Sequence, residues 1–421
     1  MKSYDSYKDT GVEWIKDIPS HWDRQKLKYC GKIITGGTPS TKKNEYWDGD
    51  IPWIESGKIH FKKININDVD SFITELGFEK SSTKMVRKNS PVVALTGATC
   101  SNAGFLTFDS AINQSIVGIE ANEFNSPYFL YYYLVSQKNQ ILSHQTGGAQ
   151  GGVSKTVIQN LDIVKLDINE QHKIVSFLDT KTSLIDSLIE KTQQKIKLLK
   201  EKRNSLINEV VINGLNQNVE MKICSEEWIG EIPSHWEVIK MKYLVNHITE
   251  KGIPEKNDIK ISPENVESDT GVCFNLYSEH ESEGMIFQNG DILFNKLRLY
   301  LKKIILTEYD GYSLGEMIVL RTNNKLDNRY FYKLLFSQGL IDLLESQSKG
   351  VKLPRVSPDD ILNTYIICPP IQEQQQIVEF LDKKIKLIDK TISLEEKNIE
   401  LLKEYHQSLI SSVVTGKRKV V

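Results

Sequence analysis

Cations placed away from acids are the first chemistry this chain offers. Between Arg24 and Lys43 there are six basic residues and no acid, and Lys42 and Lys43 close the run. Between Asn295 and Thr307 there are four, Lys296, Arg298, Lys302 and Lys303, again with no acid. Lys349, Lys352 and Arg355 form a third group. Loops rich in Gly, Pro and Lys let both backbone and cations approach a phosphate chain. Thr35–Asn44 (TGGTPSTKKN), Thr146–Gly152 (TGGAQGG) and Ser348–Arg355 (SKGVKLPR) are such loops. Any one of them alone reads more simply as a solvated turn. Two of the three occupy matched positions of an internal repeat, which points to a binding face. Lys42, Lys43, Lys296, Arg298, Lys303, Lys349, Lys352 and Arg355 are the candidate contacts to such a phosphate chain.

Catalytic spacings are missing. The nearest approach to a phosphate-cradling G-x-x-x-x-G-K-[ST] loop is GGVSKT (Gly151–Thr156), with Ser154 in place of the last Gly. The N/D-P-P-Y/F motif of amino-methyltransferases is missed by both CPPI (Cys368–Ile371) and NSPYF (Asn125–Phe129), and no G-x-G loop opens a βαβ unit. A nuclease-like D…D-x-K can be drawn through Asp359, Asp382 and Lys384, but it is short enough to arise by chance. The eight histidines are dispersed without H-E-x-x-H spacing. The reading is no catalytic residue and no metal ligand.

Length and composition frame this. A chain of 421 residues with 39% hydrophobic content predicts two to three globular domains. Five scattered cysteines, never in a C-x-x-C pair, argue against a disulfide framework or a zinc ribbon. No apolar signal region opens the chain and no apolar run is long enough to span a bilayer, so a cytoplasmic protein with no membrane partner is expected. The net charge of −2 is unusual for a protein that grips a duplex alone, because phosphate neutralisation supplies most of that affinity. The chain either does not bind DNA or does so in company.

The elements that must position these residues are written twice. WIKDIPSHW (Trp14–Trp22) returns as WIGEIPSHW (Trp228–Trp236), an offset of 228 − 14 = 214. A longer block, Ile168–Val211, returns as Ile371–Val414 at an ungapped offset of 371 − 168 = 203. Between the blocks the likeness nearly vanishes, apart from YYYLVSQ (Tyr131–Gln137) against YKLLFSQ (Tyr332–Gln338). Each half is thus a repeated leading segment, a divergent body and a repeated closing segment. Bounds follow: a first body over 1–167, a first long helix over 168–214, a linker and second body over 215–370, and a second long helix over 371–416. The bodies read as mixed α and β, with β-rich stretches at Ser90–Thr99 and Gly290–Leu306 and helices around Tyr131 and Tyr332.

The closing segments predict long helices. Val175, Leu178, Thr182, Ile185, Ile189, Thr192, Ile196, Leu199, Arg203, Leu206 and Val210 step alternately by three and four, and the same seam recurs from Val378 to Val413. No Pro or Gly interrupts either run, while Gly214 and Gly416 supply stops. At 1.5 Å per residue each helix is roughly 60 Å long. A narrow seam needs a partner, and its own copy is the nearest one; the alternative is that each helix packs on its own body. An antiparallel pair with a pseudo-twofold internal repeat is the expected geometry. Layering polar exceptions together pairs Arg203 with Glu395 and Thr192 with His406.

Duplication, divergent bodies, paired helices and basic loops together resemble the specificity subunit of a type I restriction–modification system. The resemblance is carried by IPSHW (Ile18–Trp22, Ile232–Trp236), YWDGDIPWIESGKI (Tyr46–Ile59), GDILFNKLRLYLKK (Gly290–Lys303) and QxxIVxFLD (Gln171–Asp179, Gln374–Asp382). It implies an α+β protein of two target recognition domains joined by an intramolecular coiled coil. Each domain would read one half of a bipartite site in double-stranded DNA, with the helices as a ruler between half-sites. The chain itself would be non-catalytic and hold no cofactor. Two modification (methyltransferase) subunits would bring S-adenosylmethionine, and two restriction (motor-nuclease) subunits would bring ATP and Mg2+. Repeated segments would then dock identical partners, with Trp14, Trp22, Trp228 and Trp236 either as partner contacts or as internal packing. Two rival readings are a coiled-coil adaptor that binds only protein, and a stand-alone DNA methyltransferase.

Overall fold

The computed structural model describes residues 3–60, 62–147, 151–216, 218–277, 282–348, 350 and 354–420. The chain divides into two compact units. One comprises residues 1–192 and 398–421, the other residues 193–397. Both are mixed α and β, and they repeat one plan.

In the first unit a five-stranded sheet runs in the order Gly31–Thr35, Ile116–Ala121, Ser90–Ala94, Ala103–Leu106, Lys63–Ile64. A four-stranded sheet, ordered Ser71–Ile73, Trp47–Ile54, Ser110–Ile112, Lys84–Val86, completes the body. The central strand SPVVA is buried at every position, as expected of small and β-branched residues flanked by strands on both sides. The helix Pro127–Ser136 opens on Pro at its first turn, where the missing N–H costs nothing, and buries its aromatic run from Phe129 to Tyr133. In the second unit the matching sheet is ordered Val245–Ile248, Met317–Thr322, Ile292–Asn295, Ile304–Leu306, and the helix is Asn328–Leu334. The β-rich stretch Gly290–Leu306 supplies two of these strands. It is a hairpin with a 3-10 turn, Leu299–Leu301, at its tip.

The repeated segments frame each body. Asp23–Lys26 pairs antiparallel with Asp162–Lys165, and Glu237–Lys240 pairs with Tyr365–Cys368 in the same way. The strands at 162–165 and 365–368 lead into the long helices Ile168–Asn213 and Ile371–Val414. Both helices end just before a glycine with positive φ, Gly214 (+76°) and Gly416 (+75°). A Cβ on Gly416 would lie 2.3 Å from Pro19 and 2.9 Å from Trp22, so both conformation and close approach require Gly there.

Each unit contains an antiparallel pair of helix segments. In the first, Ile174, Val175, Leu178 and Ile185 share a core with Leu409, Ile410 and Val413. In the second, Ile207 and Val210 share one with Ile377, Val378 and Leu381. Every expected seam position on both helices is buried or half-buried. The expected register is wrong, however. Arg203 meets Asp389 at 3.1 Å, Lys195 meets Glu395 at 2.5 Å, and His406 meets Asp186 at 3.8 Å. Arg203 and His406 are thus satisfied by carboxylates flanking the seam and Glu395 by a flanking lysine, not by one another. The five cysteines are free thiols. Among the described residues no helix is long and apolar enough to cross a membrane.

Candidate nucleic-acid interface

The hairpin turn at the tip of the central strands is the same backbone object in both units. Cys100 N–H donates to the Gly97 carbonyl at 3.1 Å, and Leu301 N–H donates to the Arg298 carbonyl at 3.0 Å. Leu95 N–H donates to the Ser115 carbonyl and the Leu95 carbonyl accepts from Val153 N–H; Lys296 N–H donates to the Glu316 carbonyl and the Lys296 carbonyl accepts from Val356 N–H. Each turn carries two left-handed residues at matched places: Gly97 (φ +76°) and Ser101 (+68°) in one, Arg298 (+52°) and Lys302 (+43°) in the other. A bridge then ties each turn to the loop before the next helix, Thr96 to Gly152 and Leu297 to Arg355. The side chains differ throughout: Thr96-Gly97-Ala98-Thr99 against Leu297-Arg298-Leu299-Tyr300. One scaffold presents two different chemical surfaces.

The candidate cations do not all join this surface. Arg298 is exposed at the tip beside Tyr300, itself 53% exposed. Lys296 and Arg355 converge near it, but both ion-pair with Glu316, at 3.3 and 2.7 Å. The stretch that is acid-free in sequence is therefore not acid-free in space. Lys303 lies apart, half-buried, with its ammonium on the Pro263 carbonyl at 2.6 Å. Lys302 is buried and donates to Phe336 O and Gln338 Oε1; burial holds its pKa below the usual lysine value. Lys349 and Lys352 lie outside the described residues. In the first unit Lys42 is exposed, and Lys43 donates to the Tyr46 hydroxyl at 3.0 Å, which raises the lysine pKa. His247 has an imidazole pKa pushed down, first by burial and second by the charge of Lys296.

The tryptophans separate into two kinds. Trp22 and Trp236 are almost fully buried, and each indole N–H donates to a carboxylate in the first turn of a long helix. Trp22 reaches Glu170 at 3.0 Å and Trp236 reaches Glu373 at 2.9 Å. His21 and His235 reach the same carboxylates at 3.1 and 2.8 Å, and Tyr4 adds a third bond to Glu170 at 2.8 Å. Trp22 and Trp236 thus act as internal packing, the second of the two roles the sequence allowed. Trp14 and Trp228 are half-buried and pack against the cores of their own units. A better surface was missed in the sequence. Leu387, Leu394 and Leu401 recur once per heptad outside the seam and are 58, 59 and 54% exposed; Leu184 and Leu198 on the other helix are 54 and 63% exposed. These leucines leave apolar side chains exposed on an otherwise charged helix surface. The signal was legible as a second apolar row beside the seam.

Comparisons with known proteins agree with this geometry. A family model for the type I restriction modification DNA specificity domain matches residues 19–198 and again 233–404. The chain is 24% identical over 429 residues to the type I restriction enzyme MjaIX specificity subunit of Methanocaldococcus jannaschii, covering 96% of this chain and 95% of that one. It is 27% identical over 203 residues to the EcoR124I/EcoR124II specificity subunit of Escherichia coli, covering 47% of this chain and 49% of the other. In fold it is similar to a chain from a structural study of complex assembly and conformational transition of the type I R-M system. That match has a TM-score of 0.71 at 15% identity and covers 94% of this chain and 98% of that one. It is also similar to the HsdS subunit from Thermoanaerobacter tengcongensis, with a TM-score of 0.53 at 15% identity and 95 and 98% coverage. With two domain matches that span most of its length, the chain belongs to the type I restriction–modification DNA specificity family.

Proposed function

We propose that this chain is the non-catalytic DNA-reading subunit of a type I restriction–modification complex, and that each body reads one half of a bipartite duplex site. The observation that carries this reading is the matched turn: one backbone, held by the same hydrogen bonds, bearing unrelated side chains in the two units. That is what two readers of different sequences on one scaffold require. The exposed leucine rows on the long helices support docking of two modification subunits, which would hold S-adenosylmethionine. Two restriction subunits, with ATP and Mg2+, would join through them. Shared phosphate binding accounts for a chain of net charge −2. The long helices would set the spacer between half-sites.

The test is a body exchange read by methylation mapping of the host genome. Replacing residues 24–150 with the matching body of a relative should change one half-site and leave the other intact. A change in both half-sites would show that the bodies are not independent readers. Binding by the assembled complex should also weaken steeply with salt; insensitivity to salt would favour a protein-only adaptor.

A further inference from the structure

Among the described residues, the turn of the second unit has a support that the first unit lacks. Arg203 sits in the helix seam with its side chain buried. One terminal nitrogen, Nη1, meets Asp389 on the neighbouring helix at 3.1 Å. The other, Nη2, leaves the helix pair and donates to the Asp269 carbonyl in the body at 2.8 Å. Asp269 is held in a left-handed conformation, φ +62°, which is costly for a residue with a Cβ. Its N–H donates in turn to the Leu301 carbonyl at 3.2 Å, and Leu301 closes the turn onto Arg298. A continuous line of hydrogen bonds therefore runs from the seam to the exposed Arg298. Three left-handed non-glycine residues, Asp269, Arg298 and Lys302, lie along it or beside it. Strained backbone of this kind persists only where its surroundings over-determine it.

In the first unit the matched pair is His406 and Asp186, related to Arg203 and Asp389 by the same 203-residue offset. Among the described residues His406 makes no bond to the body. A cleft of about 690 Å3 lies there instead, lined by Tyr131, Lys62, Lys63 and Lys403 among others. That unit's turn is held from inside its own body, by Thr99 on the Ser56 carbonyl at 2.8 Å and Asn102 on the Ile59 carbonyl at 3.0 Å.

We infer that Arg203 is a positioning residue that fixes the recognition turn of the second body to the long helices, through Asp269 and Leu301. The first body has no equivalent strut among its described residues. This rests on the reading of that turn as a DNA contact. Arg203 never touches DNA itself; it sets where Arg298 and Tyr300 point.

The experiment is a double-mutant cycle in the assembled complex, using duplexes that carry single base-pair changes in each mapped half-site. Arg298→Ala should weaken binding about tenfold and lower the salt slope by about one. Arg203→Met should weaken binding roughly five- to tenfold and relax discrimination in the second half-site only. If Arg203 acts through the turn, the double variant should bind no more than about twofold worse than Arg298→Ala alone. Asp389→Asn is the control: it cuts the helix–helix ion pair, leaves the Asp269 contact and should spare half-site discrimination. Multiplying effects, an Arg203→Met variant that reads the second half-site normally, or an Asp389→Asn variant as impaired as Arg203→Met would each overturn the positioning role while leaving the DNA reading in place. An Arg298→Ala variant with unchanged binding would instead sink the DNA reading of this turn, and the positioning role with it.

Discussion

Glu316 offers the sharpest perturbation of the proposed interface. It lies between Lys296, 3.3 Å away, and Arg355, 2.7 Å away, so these three residues carry one net positive charge instead of two. Glu316→Gln is nearly isosteric and frees one cation. If that cation then neutralises one more phosphate, the plot of log affinity against log salt steepens by ~0.9. Between 50 and 200 mM salt, a slope change of that size removes an extra factor of ~3.5 in affinity. At low salt the variant should bind more tightly. Removing the repulsion between a carboxylate and a phosphate about 6 Å apart in water is worth ~0.7 kcal/mol, or about threefold. The assay is a fluorescence anisotropy titration of the assembled complex with its duplex across that salt range. Ser115 occupies the matched place in the first unit, where its carbonyl accepts from Leu95 as that of Glu316 accepts from Lys296. Ser115→Glu should therefore push in the opposite direction, towards weaker binding and a shallower slope. An unchanged or shallower slope for Glu316→Gln, with hydrogen exchange of the hairpin unaltered, would refute the idea that this acid masks a DNA-facing cation.

Other perturbations probe the scaffold. Leu394→Glu combined with Leu401→Glu should abolish co-purification with the modification subunit while leaving the helical circular dichroism intact; retained assembly would move the docking face elsewhere. Glu170→Ala strands two donors that are largely buried, from Tyr4 and Trp22, whereas Glu373→Ala strands one, from Trp236. At roughly 1–3 kcal/mol per stranded donor, exchange protection should fall further in the peptide covering Asp17–Pro19 than in the one covering Glu231–Pro233; equal losses would contradict the counting. His247 has a folded pKa below its ordinary value of 6.5, so the unfolded chain binds the proton first. Stability of the second unit should be full above pH 6.5 and decline as the pH falls below it, and His247→Gln should flatten that decline in urea melts at pH 5 and 7.

Much of this fold was legible because duplication writes its own boundaries. Two matched blocks located the long helices, and heptad spacing located their buried faces. The register was not legible. Layering Arg203 against Glu395 assumed that polar seam residues pair with one another, whereas Arg203 reaches sideways to Asp389 and out to the carbonyl of Asp269. Long side chains at a seam can leave it, and sequence spacing does not show in which direction. The interface was half legible. Glycine and lysine marked the turns, but Glu316 lies some twenty residues from Lys296 and meets it only through strand pairing. Trp22 and Trp236 were ambiguous in isolation. The carboxylates that bury their N–H groups, Glu170 and Glu373, recur with them in the repeated blocks, so each donor and its acceptor were both written twice.

The division of the chain into units also sets an order of events during synthesis. The second unit is one continuous stretch, residues 193–397, and can close as soon as it leaves the ribosome. The first unit is split: its leading segment waits for Leu409, Ile410 and Val413 to join its core and for Gly416 to settle against Pro19 and Trp22. At ~5–20 residues per second, the 397 − 192 = 205 intervening residues take roughly 10–40 s to make. Through that interval an apolar surface around Trp22 stands uncovered in the nascent chain. The body translated first is the last to be sealed, so a chain cut short between residue 397 and Leu409 has a complete second unit and an open first one.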